Sequence, residues 1–133
     1  MRRYLLDSGV LSDYIHRRGK AVERVKEATD RGIHIGTATP VVAELFGGAE
    51  NSDTRERNLD RLRHALAPMV AWPFDRSAAR EYGRIFAELR RIGRPMQQMD
   101  IQIAAIAVTI GSCAVITYDS DFQAIPGLRV ENW

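Results

Sequence analysis

Apolar residues fall in two rhythms along this chain. Short solid runs stand at Tyr4-Leu5-Leu6, Ile33-His34-Ile35 and Met69-Val70-Ala71-Trp72, and again over residues 114–117 and 128–132. Their length and branched or aromatic content predict five strands. Between them apolar residues recur at steps of three and four, the period of a helix with one buried face. Leu11, Tyr14 and Ile15 mark a helix over 10–16, and Val22, Val25 and Ala28 another over 20–31, closed by Gly32. Thr39-Pro40 reads as an N-cap followed by proline at the first helical position. The helix it opens carries Val41, Val42, Leu45 and Phe46 and is expected to end at Gly47-Gly48. Asp53 and Glu56 have capping-box spacing ahead of Leu59, Leu62 and Leu66, and Pro68 stops that helix. Asp75 is placed to cap a strongly amphipathic helix with Tyr82, Ile85, Phe86, Leu89 and Ile92 inward, ended by Gly93. A turn is expected at Pro126-Gly127.

The stretch 96–109 breaks the amphipathic habit. From Ile101 on it is apolar almost all round, so its helix is buried on most sides. Asp100 stands at its front edge, with Ile103, Ala104 and Ala107 at the i+3, i+4 and i+7 positions. A carboxylate on such a face needs a cation, a set of donors or a raised pKa, unless it simply complements the helix dipole.

Strands alternating with helices predict an α/β fold with a central parallel sheet of about five short strands, covered by helices on both faces. The 133 residues are expected to form one domain, with no internal repeat or linker. In open parallel sheets the site lies beyond the carboxyl ends of the strands. Asp7 follows the first strand directly, Glu44 lies one turn into the helix after the second, and Asp100 opens the helix leading to the fourth. Asp119 follows the fourth strand, with Asp121 competing for the same place; either also suits a turn residue bonding its own backbone. Four segments thus bring acids to one sheet edge.

Composition narrows the chemistry. The lone Cys113 excludes an internal disulfide and reads as a small core residue, and His16, His34 and His64 have no ligand spacing. No apolar run reaches membrane-spanning length and no leader pattern opens the chain, so a cytoplasmic protein without membrane attachment is expected. The net charge is only +2, yet all but Lys20 and Lys26 of the 19 basic residues are Arg. Arg76, Arg80, Arg84, Arg90, Arg91 and Arg94 oppose only Glu81 and Glu88 in their stretch, whereas acids dominate after Pro95. An acidic centre beside an Arg-rich flank suits a phosphate-bearing substrate held near a metal, although Arg-favouring base composition gives the same excess. Gathered carboxylates repel unless protonated or joined by a cation. An all-oxygen anionic set favours Mg²⁺ or Mn²⁺ over zinc, and such ions support hydrolysis of phosphodiesters.

These residues carry a resemblance that runs essentially end to end. Tyr4-Leu5-Leu6-Asp7-Ser8-Gly9-Val10-Leu11-Ser12 resembles the opening of PIN-domain ribonucleases, particularly the VapC toxins of toxin–antitoxin pairs. Ala38-Thr39-Pro40-Val41-Val42-Ala43-Glu44-Leu45 resembles their second motif. Gly93-Arg94-Pro95 with Asp100-Ile101-Gln102-Ile103-Ala104-Ala105 resembles the third. Thr117-Tyr118-Asp119-Ser120-Asp121-Phe122, then Ile125-Pro126-Gly127-Leu128 and Val130-Glu131-Asn132-Trp133, resembles the close. The resemblance implies a PIN-like fold and a Mg²⁺- or Mn²⁺-dependent endoribonuclease toxin, neutralised by a cognate antitoxin protein and forming a homodimer. Asp7, Glu44, Asp100 and Asp119 fall on the family's acidic positions, and Asp121 is close enough to act through water. Ser8 and Thr117 fall where hydroxyls border the site. Apart from the resemblance, Arg84, Arg90, Arg91 and Arg94 exceed what Glu81 and Glu88 can take up, so some of them, Arg90 and Arg94 above all, are expected to meet RNA phosphates. Gly9 departs from the pattern, since many members carry Asn there. Tyr118 either stacks on a base or packs on the adjacent loop.

Other classes fit less well. A phospho-accepting receiver domain needs a late Lys, and the last Lys here is Lys26. A dehalogenase-type phosphatase needs a second Asp where Gly9 stands. A catalytically silent PIN module that only binds RNA or protein shares everything except a use for the acids.

Overall fold

The computed structural model describes residues 2–133. Five strands, β1 (Arg3–Leu6), β2 (His34–Ala38), β3 (Val70–Trp72), β4 (Cys113–Ile116) and β5 (Arg129–Glu131), form one sheet in the order β3-β2-β1-β4-β5. Every pairing is parallel, with Leu5 against Gly36 on one side and Val115 on the other. The helices are α1 (Ser8–Ile15), α2 (Ala21–Asp30), α3 (Thr39–Glu50), α4 (Arg55–Leu66), α5 (Arg76–Arg91) and α6 (Gln98–Ile110), with a 3₁₀ turn over Ser120–Ala124. None is long and apolar enough to cross a membrane.

Successive residues of a strand face opposite sides of a sheet. Tyr4, Leu5 and Leu6 are all buried, as is the whole of β4, so helices cover both faces at the centre. Ile101, Ile103, Ala104, Ala105, Ile106 and Ala107 are buried on α6, as its all-round apolar pattern requires. The chain lays down β1, β2 and β3 outward in one direction and then crosses back to place β4 on the other flank of β1. That reversal opens a crevice at the carboxyl ends of β1 and β4.

Several local expectations give way to packing. Helix α3 runs through Gly47-Gly48 to Glu50. Ala49 beyond them is buried against Leu59 and Leu62, and this outweighs about 1 kcal/mol of propensity per glycine. Thr39 is the first helical residue rather than the cap, because β2 extends to Ala38; its hydroxyl accepts the Phe74 N–H at 3.2 Å instead. Asp53 forms no capping box: α4 starts behind Thr54 without a side-chain cap, and Glu56 is bound by Arg55, which also grips Glu50. Asp75 does cap α5, its carboxylate accepting the Ala78 N–H at 2.9 Å. On α5 the inward residues are Ala78, Ile85 and Leu89, while Phe86 (41%) and Ile92 (55%) are exposed. Phe86 lies one residue round from Ile85, and Ile92 sits past the end of the helix.

Gly36 carries a steric constraint that no periodicity announces. A Cβ there would lie 2.6 Å from the Val70 carbonyl oxygen and 2.8 Å from the Trp72 ring. The first is backbone in the paired strand and cannot swing aside. Gly36→Ala is therefore expected to lower stability by about 1–3 kcal/mol, seen as a lower urea midpoint at unchanged slope. An unchanged midpoint would mean that β3 detaches at no cost.

Candidate active site

Asp7 is placed by the crevice itself. Its backbone N–H donates to the Ile116 carbonyl at 3.0 Å, carrying the β1–β4 pairing one residue beyond the strand. As N-cap of α1, its Oδ1 accepts the Ser8 N–H at 2.8 Å. Its Oδ2 accepts the hydroxyl of Thr117, also at 2.8 Å, and that hydroxyl oxygen in turn accepts the Asp119 N–H at 3.0 Å. Asp7 and Thr117 are both buried. The acid is thus fixed by two bonds, and the loop carrying Asp119 is tied to the same hydroxyl.

Thr117 is therefore a positioning residue. Its hydroxyl stands beside the site, as the resemblance implies, but it is buried and committed to Asp7 rather than turned to substrate. A second buried threonine escaped the sequence reading. Thr37 on β2 donates to the Leu6 carbonyl at 2.8 Å, immediately before Asp7. Its only trace in the sequence is a lone hydroxyl between Gly36 and Ala38, after the apolar Ile35.

The remaining acids meet Asp7 at one open cleft of about 380 Å³, lined by Asp7, Ser8, Glu44, Asp100, Asp119 and Asp121. Residues 95–97 and Met99 complete its lining. Glu44 reaches it from α3 as an exposed side chain, and Asp100 from the first turn of α6, half-buried. Asp119 caps the 3₁₀ turn, its Oδ1 accepting the Asp121 N–H at 2.8 Å. Both roles weighed for Asp119 are thus present: it bonds its own backbone and lines the cleft. Asp121 is exposed, with the Arg94 guanidinium 3.9 Å away.

Asp100 makes no hydrogen bond or ion pair within the described residues, although it sits where a helix dipole favours negative charge. Burial pushes its carboxyl up to about 6, and the charges of Asp7, Asp119, Asp121 and Glu44 add to the rise, in that order. Four acids from other segments therefore act electrostatically on this one. Among the described residues, no group of three Asp, Glu, His or Cys is arranged to hold an ion by protein atoms alone. The donor set nevertheless fits Mg²⁺ or Mn²⁺, which prefer anionic oxygen and retain several waters.

The structure does not bring every expected residue here. Arg90 stays outside the cleft, its guanidinium lying over the Phe86 ring at 5.6 Å on α5. Arg84 is consumed by Glu81 and Glu88, both at 2.8 Å. A larger groove of about 650 Å³ beside α1 and α4 contains His16 and His64. Each His turns its Nδ1 to a carbonyl of its own helix, His16 to Ser12 and His64 to Asp60.

Comparison with known proteins identifies the family and the fold. The PIN domain family matches residues 4–128. Ribonuclease VapC2 of Haemophilus influenzae is 31% identical over 133 residues, covering 100% of this chain and 99% of the relative. A Shigella flexneri protein named tRNA(fMet)-specific endonuclease VapC is also 31% identical, over 100% of this chain and 99% of its own. A chain of the DNA-bound VapBC structure from Salmonella typhimurium superposes with a TM-score of 0.88 at 32% identity, covering 100% of this chain and 99% of that one.

Proposed function

The chain belongs to the PIN-domain family and to its VapC ribonucleases, and from that membership we propose a Mg²⁺- or Mn²⁺-dependent endoribonuclease toxin that hydrolyses RNA phosphodiesters. The observation that carries the reading is the convergence of Asp7, Glu44, Asp100, Asp119 and Asp121 on one cleft, with the Asp100 carboxyl raised first by burial and then by the charges of the other four. Asp7, Asp100 and Glu44 ligate the ion directly or through water, Asp119 completes the shell, and Asp121 contributes through water. When bound, the ion supplies charge neutralisation and activation of water for attack on phosphorus.

The chain's own residues do the positioning. Thr117 and the Ser8 N–H hold both oxygens of Asp7, so the acid meets its cation without a search through rotamers. Ser8 and Arg94 flank the acids and offer a hydroxyl and a guanidinium to substrate phosphates. No separate general base is required of the protein. Its partners are RNA and a cognate antitoxin, which silences the cleft by placing an Arg or Lys among the acids. The reading includes a homodimer and a cytoplasmic location. The substrate class extends to transfer RNA, as the name of the Shigella relative suggests, and to ribosomal or messenger RNA.

Purified protein, freed of antitoxin, is expected to cut single-stranded or looped RNA with Mn²⁺ or Mg²⁺ and to stop completely in EDTA. Cleavage that survives exhaustive chelation would refute the metal mechanism. Absence of cleavage with either ion, in protein that still binds RNA, would instead favour the silent binding module.

A further inference from the structure

Tyr118 is an exposed aromatic in the loop that also carries the site. Its chain neighbours are Thr117, which holds Asp7, and Asp119, which lines the cleft. The ring is 45% exposed, yet it is not loose. Its hydroxyl donates to Asp13 Oδ2 at 2.8 Å, and Asp13 is itself gripped by Arg18 at 3.0 Å. The ring edge lies over Gly9: a Cβ there would stand 3.4 Å from Cδ2 and 3.8 Å from Cε2. These are van der Waals distances, so the ring packs edge-on against the glycine that departs from the resemblance. The aromatic surface is thus held at its tip and along its edge.

We propose that Tyr118 is a stacking platform for a nucleobase of single-stranded RNA beside the scissile phosphate. This rests on the nuclease reading above and assigns it a residue that recognises the base rather than the phosphate. A fixed aromatic ring is pre-organised, so little ordering is lost when a base settles on it. Stacking is open to every base, because each has a π-face. The loop geometry couples the two events: the backbone that presents the ring also presents Asp119, whose N–H is anchored on Thr117.

The test uses single-stranded RNA oligonucleotides spanning a mapped cut, intact or with one abasic nucleotide moved stepwise across it. Tyr118→Leu keeps an apolar side chain over Gly9 and removes the ring; Tyr118→Phe and Tyr118→Trp keep a ring and remove the tether. On intact RNA, Tyr118→Leu is expected to raise KM about 5- to 100-fold with little change in kcat, whereas Phe and Trp retain most of the affinity. In the parent protein one abasic position should raise KM to a similar extent, and in Tyr118→Leu that same position should cost nothing further. The abasic arm in the parent protein needs no variant to fold. An abasic penalty that persists in full in Tyr118→Leu, a KM unmoved by that change, or equal losses in Leu and Phe would each overturn the platform. Parent protein that cuts RNA while Tyr118→Leu matches it refutes the platform alone. Parent protein that cuts no RNA refutes the nuclease reading and the platform with it.

Discussion

Asp100→Asn is expected to reduce RNA cleavage by more than about 100-fold and, in EDTA at neutral pH, to make the protein more stable. The two effects have one cause. Changes to residues behind a metal ligand already cost about 10- to 100-fold, so loss of a ligand costs more. Without metal, the same carboxylate is a liability: it is half-buried, unpaired and repelled by Asp7, Asp119, Asp121 and Glu44. The shift from 3.8 to about 6 sets an upper bound near 3 kcal/mol, which solvent in the open cleft reduces to about 1 kcal/mol. Against this stands the helix dipole, whose attraction for a first-turn acid is worth about 0.3–1 kcal/mol. The dipole already acts in the native protein, and the carboxyl is still raised, so repulsion and desolvation win.

The pH dependence gives this a signature. An acid whose folded pKa lies above its unfolded value binds more protons when folded, so stability falls as pH rises between the two. For Asp100 that window runs from 3.8 to about 6, and the loss persists above it. Melting curves of the metal-free parent should show this descending limb beneath the contributions of the other groups, and the Asn variant should lack it. Mn²⁺ should stabilise the parent and the variant unequally, the variant less. A variant that melts lower than the parent in EDTA, with an unchanged Mn²⁺ shift, places Asp100 outside the site.

The strands were legible because each is a short apolar run between breakers, and their parallel pairing follows from the alternation with helices, whereas their order in the sheet came only with the structure. Burial of α6 was legible for the same reason, since a helix apolar on every side has to lie inside. What misled were the local stop signals. Gly47-Gly48 costs α3 some intrinsic propensity, but the contacts of Ala49 with α4 are non-local and invisible to a window of sequence. Phe86 and Ile92 misled in the opposite sense. Their spacing from Ile85 and Leu89 is compatible with a broad apolar face, and only α5 docking on α6 shows how narrow that face is.

The cleft divides in the same way. The acids were legible because charge at the edge of buried strands and helices is conspicuous, and the parallel sheet says which edge they share. Their supports were not. Thr37 and Thr117 look like ordinary strand residues, and nothing local says that one bonds the Leu6 carbonyl and the other Asp7, 110 positions away. That Arg90 lies over the Phe86 ring and not at the cleft was not legible, because excess charge in a stretch does not reveal which way a helix turns it. The single residue Gly9 was legible as a departure, yet its meaning came only with the ring of Tyr118 across it.

Thr117→Val should separate support from bulk, because the substitution preserves shape and removes only the hydroxyl. Two groups then lose a partner: Asp7 Oδ2, on a buried acid, and the Asp119 N–H. Leaving buried polar groups unpaired costs about 1–3 kcal/mol, so the variant should melt lower than the parent. Asp7 is then held through Oδ1 alone, and the Asp119 loop loses its anchor; cleavage should fall about 10- to 100-fold, with weaker Mn²⁺ binding by titration. Thr117→Ser restores the hydroxyl and gives up one methyl group. It should recover most of the activity while remaining about 1 kcal/mol less stable than the parent. The Ser variant thus dissociates the two readouts: catalysis follows the hydroxyl, and stability follows both the hydroxyl and the methyl. If Val is as active as the parent, Asp7 finds its place without Thr117, and the buried hydroxyl serves the fold alone.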